Sequence, residues 1–158
     1  MSDHVAVVGP ASASGPELAA AHEVGRLLAT AGAVVICGGL SGVMDAAARG
    51  CREAGGMAIG ILPGETRDGA SPHLAASIPT GMGEARNALV ARAADAVIAI
   101  GGEFGTLSEI ALALKMGRPV VGLRTWSLER EGQANDPIIR AETPEEAVDK
   151  ALGAIGRP

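Results

Sequence analysis

Four glycine-rich segments hold most of the chemistry open to this sequence. They are Gly9-Pro10-Ala11-Ser12-Ala13-Ser14, Gly38-Gly39-Leu40-Ser41-Gly42, Gly81-Met82-Gly83 and Gly101-Gly102-Glu103-Phe104-Gly105-Thr106. Each opens a stretch with helical periodicity. Glycine lets a backbone come close to a ligand, and the free N–H groups of a helix start can hold a phosphate. Nine of the 23 glycines fall in these segments, so the residue is concentrated rather than spread along the chain. For any one segment, a plain tight turn is the alternative. Two familiar phosphate motifs are absent. There is no GxGxxG after the first strand pattern and no GxxxxGK[ST], which excludes a standard NAD fingerprint and a P-loop.

Two charged residues stand beside these segments, Arg86 and Glu109. Thr106-Leu107-Ser108-Glu109 also has the spacing of a capping box, in which the glutamate bonds back to the helix start. Ser14-Gly15-Pro16-Glu17 and Thr143-Pro144-Glu145-Glu146 share that spacing. Glu109 therefore has two readings, a helix cap or a site carboxylate. Arg86 has two as well, a site cation or a surface arginine paired with Glu84 or Asp95.

The elements that must position these residues alternate regularly. Short apolar runs at 4–8, 33–37, 57–62, 75–78, 95–100 and 119–123 read as strands, with 138–139 as a last short one. Helical patterns fill 16–31, 42–54, 84–94, 106–116 and 143–155. Strands apolar on both faces that alternate with helices predict a Rossmann-like, doubly wound α/β fold. Its sheet is mainly parallel, with helices on both faces. Residues 1–158 read as one such nucleotide-binding domain, long enough to bury a core. Ligands of such sheets bind beyond the carboxyl ends of the strands, where the four glycine segments fall.

Composition narrows the function classes. The net charge is -5, and no basic stripe is present, which argues against nucleic-acid binding. Phe104 and Trp126 are the only aromatic residues, so no stacking cage is expected. Cys37 and Cys51 read as reduced, buried thiols. His4, His22 and His73 lack metal-ligand spacing, so no metal site is expected. No signal peptide or membrane span is apparent, which predicts a cytoplasmic protein with no membrane partner.

The run from Gly81 to Asn87, followed by Gly101-Gly102-Glu103-Phe104-Gly105-Thr106-Leu107-Ser108-Glu109, resembles the LOG family. Gly38, Gly39, Gly42, Val43 and Met44 are similar to an earlier glycine-rich turn of that family. The resemblance implies a homodimer of Rossmann-like chains. It also implies a phosphoribohydrolase that cleaves the N-glycosidic bond of a nucleoside 5′-monophosphate to free base and ribose 5-phosphate. On that footing Glu109 would stabilise the positive charge that builds on the sugar, or activate water. Arg86 would orient Glu109 or hold substrate oxygens.

The implied phosphate- or nucleotide-binding set is Gly9, Ser12, Gly38, Gly39, Gly42, Met44, Gly83, Gly101, Gly102, Phe104, Gly105 and Thr106. No cofactor is required for such hydrolysis. The motifs contain no lysine to form a Schiff base, which argues against lysine decarboxylation.

The hallmark is not fully kept. Gly101 replaces a proline, Glu103 a glycine, Asn87 a lysine and Ser108 a frequent glutamate. These departures look like a branch similar to molybdenum cofactor carrier proteins. The alternative expectation is thus a non-catalytic carrier that binds a nucleotide or a phosphorylated pterin.

Overall fold

A computed structural model describes residues 1–156. Seven strands form one sheet: β1 (His4–Val8), β2 (Val34–Cys37), β3 (Ala58–Leu62), β4 (Ala76–Pro79), β5 (Ala96–Ile100), β6 (Val120–Leu123) and β7 (Ile139–Arg140). Their order is β4-β3-β2-β1-β5-β6-β7, and every pairing is parallel. The order reverses between β1 and β5, which makes their carboxyl ends the switch point.

Alternation along β1 shows why both faces are covered. Val5 and Val7 face one core, and Ala6 and Val8 the other. On the first face lie α1 (Gly15–Thr30), α2 (Val43–Glu53) and α5 (Pro144–Ala154). On the second lie α3 (Asn87–Ala93) and α4 (Phe104–Lys115). The doubly wound α/β expectation therefore holds.

Two helix starts match their sequence signals. Ser14 and Glu17 form a reciprocal capping box at α1, and Thr143 accepts from the Glu146 N–H at α5. The third helical pattern resolves differently. It begins as a 3-10 turn, Gly83–Arg86, before α3 continues from Asn87.

The largest interhelical contact depends on two bare positions. Where α1 crosses α2, a methyl on Gly25 would overlap the Ala47 carbonyl, and one on Gly50 would overlap the His22 carbonyl. Backbone cannot yield as a flexible side chain can. Gly50→Ala is expected to destabilise the fold by about 2 kcal/mol or more, as overpacking typically does. Urea unfolding of variant and wild type measures this, and an unchanged midpoint would show that the crossing is not tight.

Candidate functional site

A cleft of about 330 Å³ opens at the carboxyl ends of β1, β3 and β5. Gly9, Pro10 and Ala11 form one wall after β1. Glu103, Gly105 and Thr106 form the opposite wall at the start of α4. Met44, Pro63, Gly83, Glu84, Arg86, Asn87 and Glu109 complete it.

Glu109 is not a helix cap. Helix α4 begins at Phe104, three residues before the Leu107 start that the capping-box spacing implies. Glu103 is the N-cap, with extended backbone (φ -115°, ψ -173°), and its carbonyl accepts from the Leu107 N–H at 3.0 Å. Thr106 is therefore inside the first turn, and Glu109 is well within the helix. Gly101, at φ 62°, makes the turn that allows this early start. No side chain caps the first turn, so its N–H groups remain available beside the cleft.

Arg86 is not a surface arginine. It is 8% exposed, and no hydrogen bond satisfies its buried Nε. Its guanidinium lies over Gly38, where a methyl would overlap Nη1 and come 2.6 Å from the Met44 Sδ. The absence of a side chain at Gly38 thus leaves room for the arginine.

Glu109 is 9% exposed. Burial pushes its carboxyl up to about 7, against a smaller opposing pull from Arg86. None of the ion pairs among the described residues includes Arg86 or Glu109. A buried cation and a buried carboxyl therefore share one cleft, each with unused bonding capacity. A buried group of that kind is expensive to leave unmet.

The other anticipated residues divide into two groups. Gly9, Met44, Gly83, Gly105 and Thr106 line the cleft with Arg86 and Glu109. Ser12, Gly38, Gly39, Gly42, Gly101, Gly102 and Phe104 do not. Gly42, at φ 67°, packs on the Pro10 and Ala11 backbone, and Gly39 packs on Leu62 and Gly60. Gly101 packs on the Glu17 carboxylate, and Gly102 on Trp126. At these four glycines the space a side chain would need is filled by the protein itself.

Pro10, Ala11, Pro63, Glu84, Asn87 and Glu103 line the cleft although the anticipated binding set omits them, and all but Pro63 lie inside the glycine-rich segments or the Gly81–Asn87 run. Pro63 directly follows β3, so the strand-end rule would have found it.

Two departures from the LOG hallmark prove to be one feature. Asn87 Nδ2 donates to Ser108 Oγ at 3.0 Å, and Ser108 Oγ donates to the Gly105 carbonyl at 2.7 Å. The pair ties α3 to the first turn of α4 and so steadies the cleft wall. Burial pushes the Cys37 thiol up to about 11, which makes it no nucleophile at neutral pH. Among the described residues, no group of three His, Cys, Asp or Glu side chains is placed to hold a metal. No described helix is long and apolar enough to cross a membrane.

The model of the SLOG cluster4 family matches residues 2–148. The chain belongs to the SLOG cluster4 family. This SLOG protein is 39% identical, over 155 residues and 95% of each chain, to an uncharacterized protein of Archaeoglobus fulgidus. Its structure is similar to the molybdenum cofactor binding protein of the phototrophic bacterium Rippkaea orientalis. There the TM-score is 0.89 at 34% identity, with 99% of each chain covered. It is also similar to the Moco carrier protein of Chlamydomonas reinhardtii, with a TM-score of 0.83, 32% identity and 97% of each chain covered. The LOG-like branch near molybdenum cofactor carriers, which the motif departures suggested, is thus where this SLOG protein falls.

Proposed function

We propose that this SLOG cluster4 protein binds the molybdenum cofactor, or a kindred phosphorylated pterin, and carries it without breaking it. The observation that carries the reading is the buried Arg86 with its unmet Nε, facing a cleft walled by the uncapped start of α4. One buried guanidinium and the uncapped N–H groups of α4 are the groups here that suit an anion, set against Glu84, Glu103 and Glu109 in the same lining. Arg86 would grip the terminal phosphate through its planar fork, and the N–H groups of Gly105 and Thr106 would take further oxygens. Similarity over nearly the full length to two proteins described as binding or carrying this cofactor supports the choice of ligand.

The test mixes the purified protein with molybdenum cofactor released from a molybdoenzyme, then passes it through gel filtration. Pterin and molybdenum are expected to co-elute with the protein at about one per chain. Elution of all pterin in the small-molecule fraction would overturn the proposal.

A second reading rests on Glu109. A carboxyl held near 7 in the same cleft suits a group that stabilises charge or moves a proton during N-glycosidic cleavage. That reading predicts free base from at least one nucleoside 5′-monophosphate, with release abolished in Glu109→Gln. Retention of pterin with no base released from any nucleotide favours the carrier.

A further inference from the structure

Phe104 and Trp126 are the two aromatic residues of the whole chain, and the fold brings them together. Their ring centroids are 5.8 Å apart, with the planes at 31°. Trp126 is fixed in place. Its Nε1 donates to the Glu103 carbonyl at 3.2 Å, and a methyl on Gly102 would come 2.7 Å from that nitrogen. Phe104 nevertheless leaves 81% of its surface in water. With Gly102, Glu103 and Gly105, the two rings line a recess. Glu103 and Gly105 also line the cleft, so recess and cleft share a wall. Inside the cleft, Arg86 is more than nine-tenths buried and its Nε has no hydrogen-bond partner, which independently points to a ligand there.

We infer that the recess receives the heterocyclic end of the ligand whose phosphate the cleft holds. The inference rests on the reading of the cleft as a phosphate site. The aromatic pair supplies a face for stacking, which any flat heterocycle accepts. Glu103 supplies selectivity. An ionised carboxylate only accepts hydrogen bonds, and its two oxygens match two adjacent N–H donors. The 2-amino-4-oxo pyrimidine ring shared by pterins and guanine presents such an edge. This gives a use to the glutamate that replaces a hallmark glycine. At the exposed rim it reads the ring, while Arg86 offsets the phosphate charge within.

Trp126 is the sole tryptophan, so its fluorescence reports on the recess directly. The full chain is titrated with guanosine 5′-monophosphate, inosine 5′-monophosphate and ribose 5-phosphate. The guanine nucleotide is expected to quench Trp126 and to bind at least about fivefold tighter than ribose 5-phosphate, the lower end of a stacking contribution. Inosine 5′-monophosphate, without the amino group, should fall between them. Phe104→Ala should bring the guanine nucleotide within about twofold of ribose 5-phosphate by removing that stacking, and leave ribose 5-phosphate itself unchanged. Phe104→Tyr should restore the difference. Glu103→Gln should abolish the preference for guanine over hypoxanthine while the quench persists.

Equal binding of the three probes by the wild type overturns the inference and leaves the phosphate site standing. So does a Phe104→Ala variant that weakens all three alike, or whose one effect is a smaller assembly by light scattering. The last result would make Phe104 a contact between copies. Failure of every probe to bind would overturn the phosphate site together with the recess.

Discussion

Glu109→Gln is expected to make the protein more stable, not less, at alkaline pH. The Glu109 carboxyl titrates near 7 in the fold, above its ordinary 4.5, chiefly because burial disfavours the charge. The folded state therefore holds the proton more tightly than the unfolded chain does. Below pH 4.5 the group is protonated in both states and favours neither. Between 4.5 and 7 the unfolded chain ionises first, and stability falls as pH rises. Above 7 the full penalty is present, about 3 kcal/mol for a displacement of that size. Glutamine keeps the shape and never ionises, so the variant escapes the penalty. Its melting temperature at pH 8 should exceed that of the wild type by roughly 5–10 °C, and the gap should close near pH 4. Thermal unfolding across pH checks this. A variant less stable than wild type at pH 8 would show that the ionised carboxylate is well satisfied in the fold. The expected result also fits a binding role, since a natural chain tolerates a destabilising buried acid where function uses it.

The second large effect falls on binding and spares the fold. Gly38→Ala should lower affinity for a phosphorylated probe such as ribose 5-phosphate by roughly ten- to a hundredfold. That range corresponds to losing charge-assisted hydrogen bonds worth about 1.5–3 kcal/mol. The new methyl would overlap Arg86 Nη1 and crowd the Met44 Sδ at 2.6 Å. Both are ends of flexible side chains, so they can move aside at little cost to stability. Arg86 then leaves its place over Gly38. Stability by urea unfolding should stay within about 1 kcal/mol of wild type. Calorimetric titration would show the lost affinity, and an unchanged dissociation constant would remove Arg86 from the phosphate site. The contrast with Gly50→Ala is informative. There the obstacle is the His22 carbonyl, and the fold itself must give way.

The strands and helices were legible because both depend on local pattern. Short doubly apolar runs bounded by turn residues, such as Ala96–Ile100, suit central strands, and Ser14 with Glu17 can close a cap without help from elsewhere. Arg86 and Glu109 were legible only through the resemblance to the LOG motif, since spacing alone left a helix cap and a surface arginine open. The start of α4 was not. Thr106 offers a good cap, but Gly101 turns the chain early and Glu103 takes the N-cap position, which moves Glu109 from the helix edge into the cleft. The glycines misled in another way. Sequence cannot tell a glycine that clears space for a ligand from one that clears space for the protein itself. Gly42 yields to the Pro10 and Ala11 backbone, and Gly38 yields to Arg86.

By itself the sequence determined the parallel α/β class and the strand ends as the place to look for a site. These follow from periodicity and from short-range backbone chemistry, whereas Arg86 and Glu109 stood out only through the LOG resemblance. Tertiary structure alone decided the strand order and the burial that lifts the Glu109 carboxyl toward 7. It also decided the meeting of Asn87 with Ser108 and of Phe104 with Trp126. Each of those depends on distances between segments remote in the chain, and on how much water the packing excludes. No local pattern carries that information.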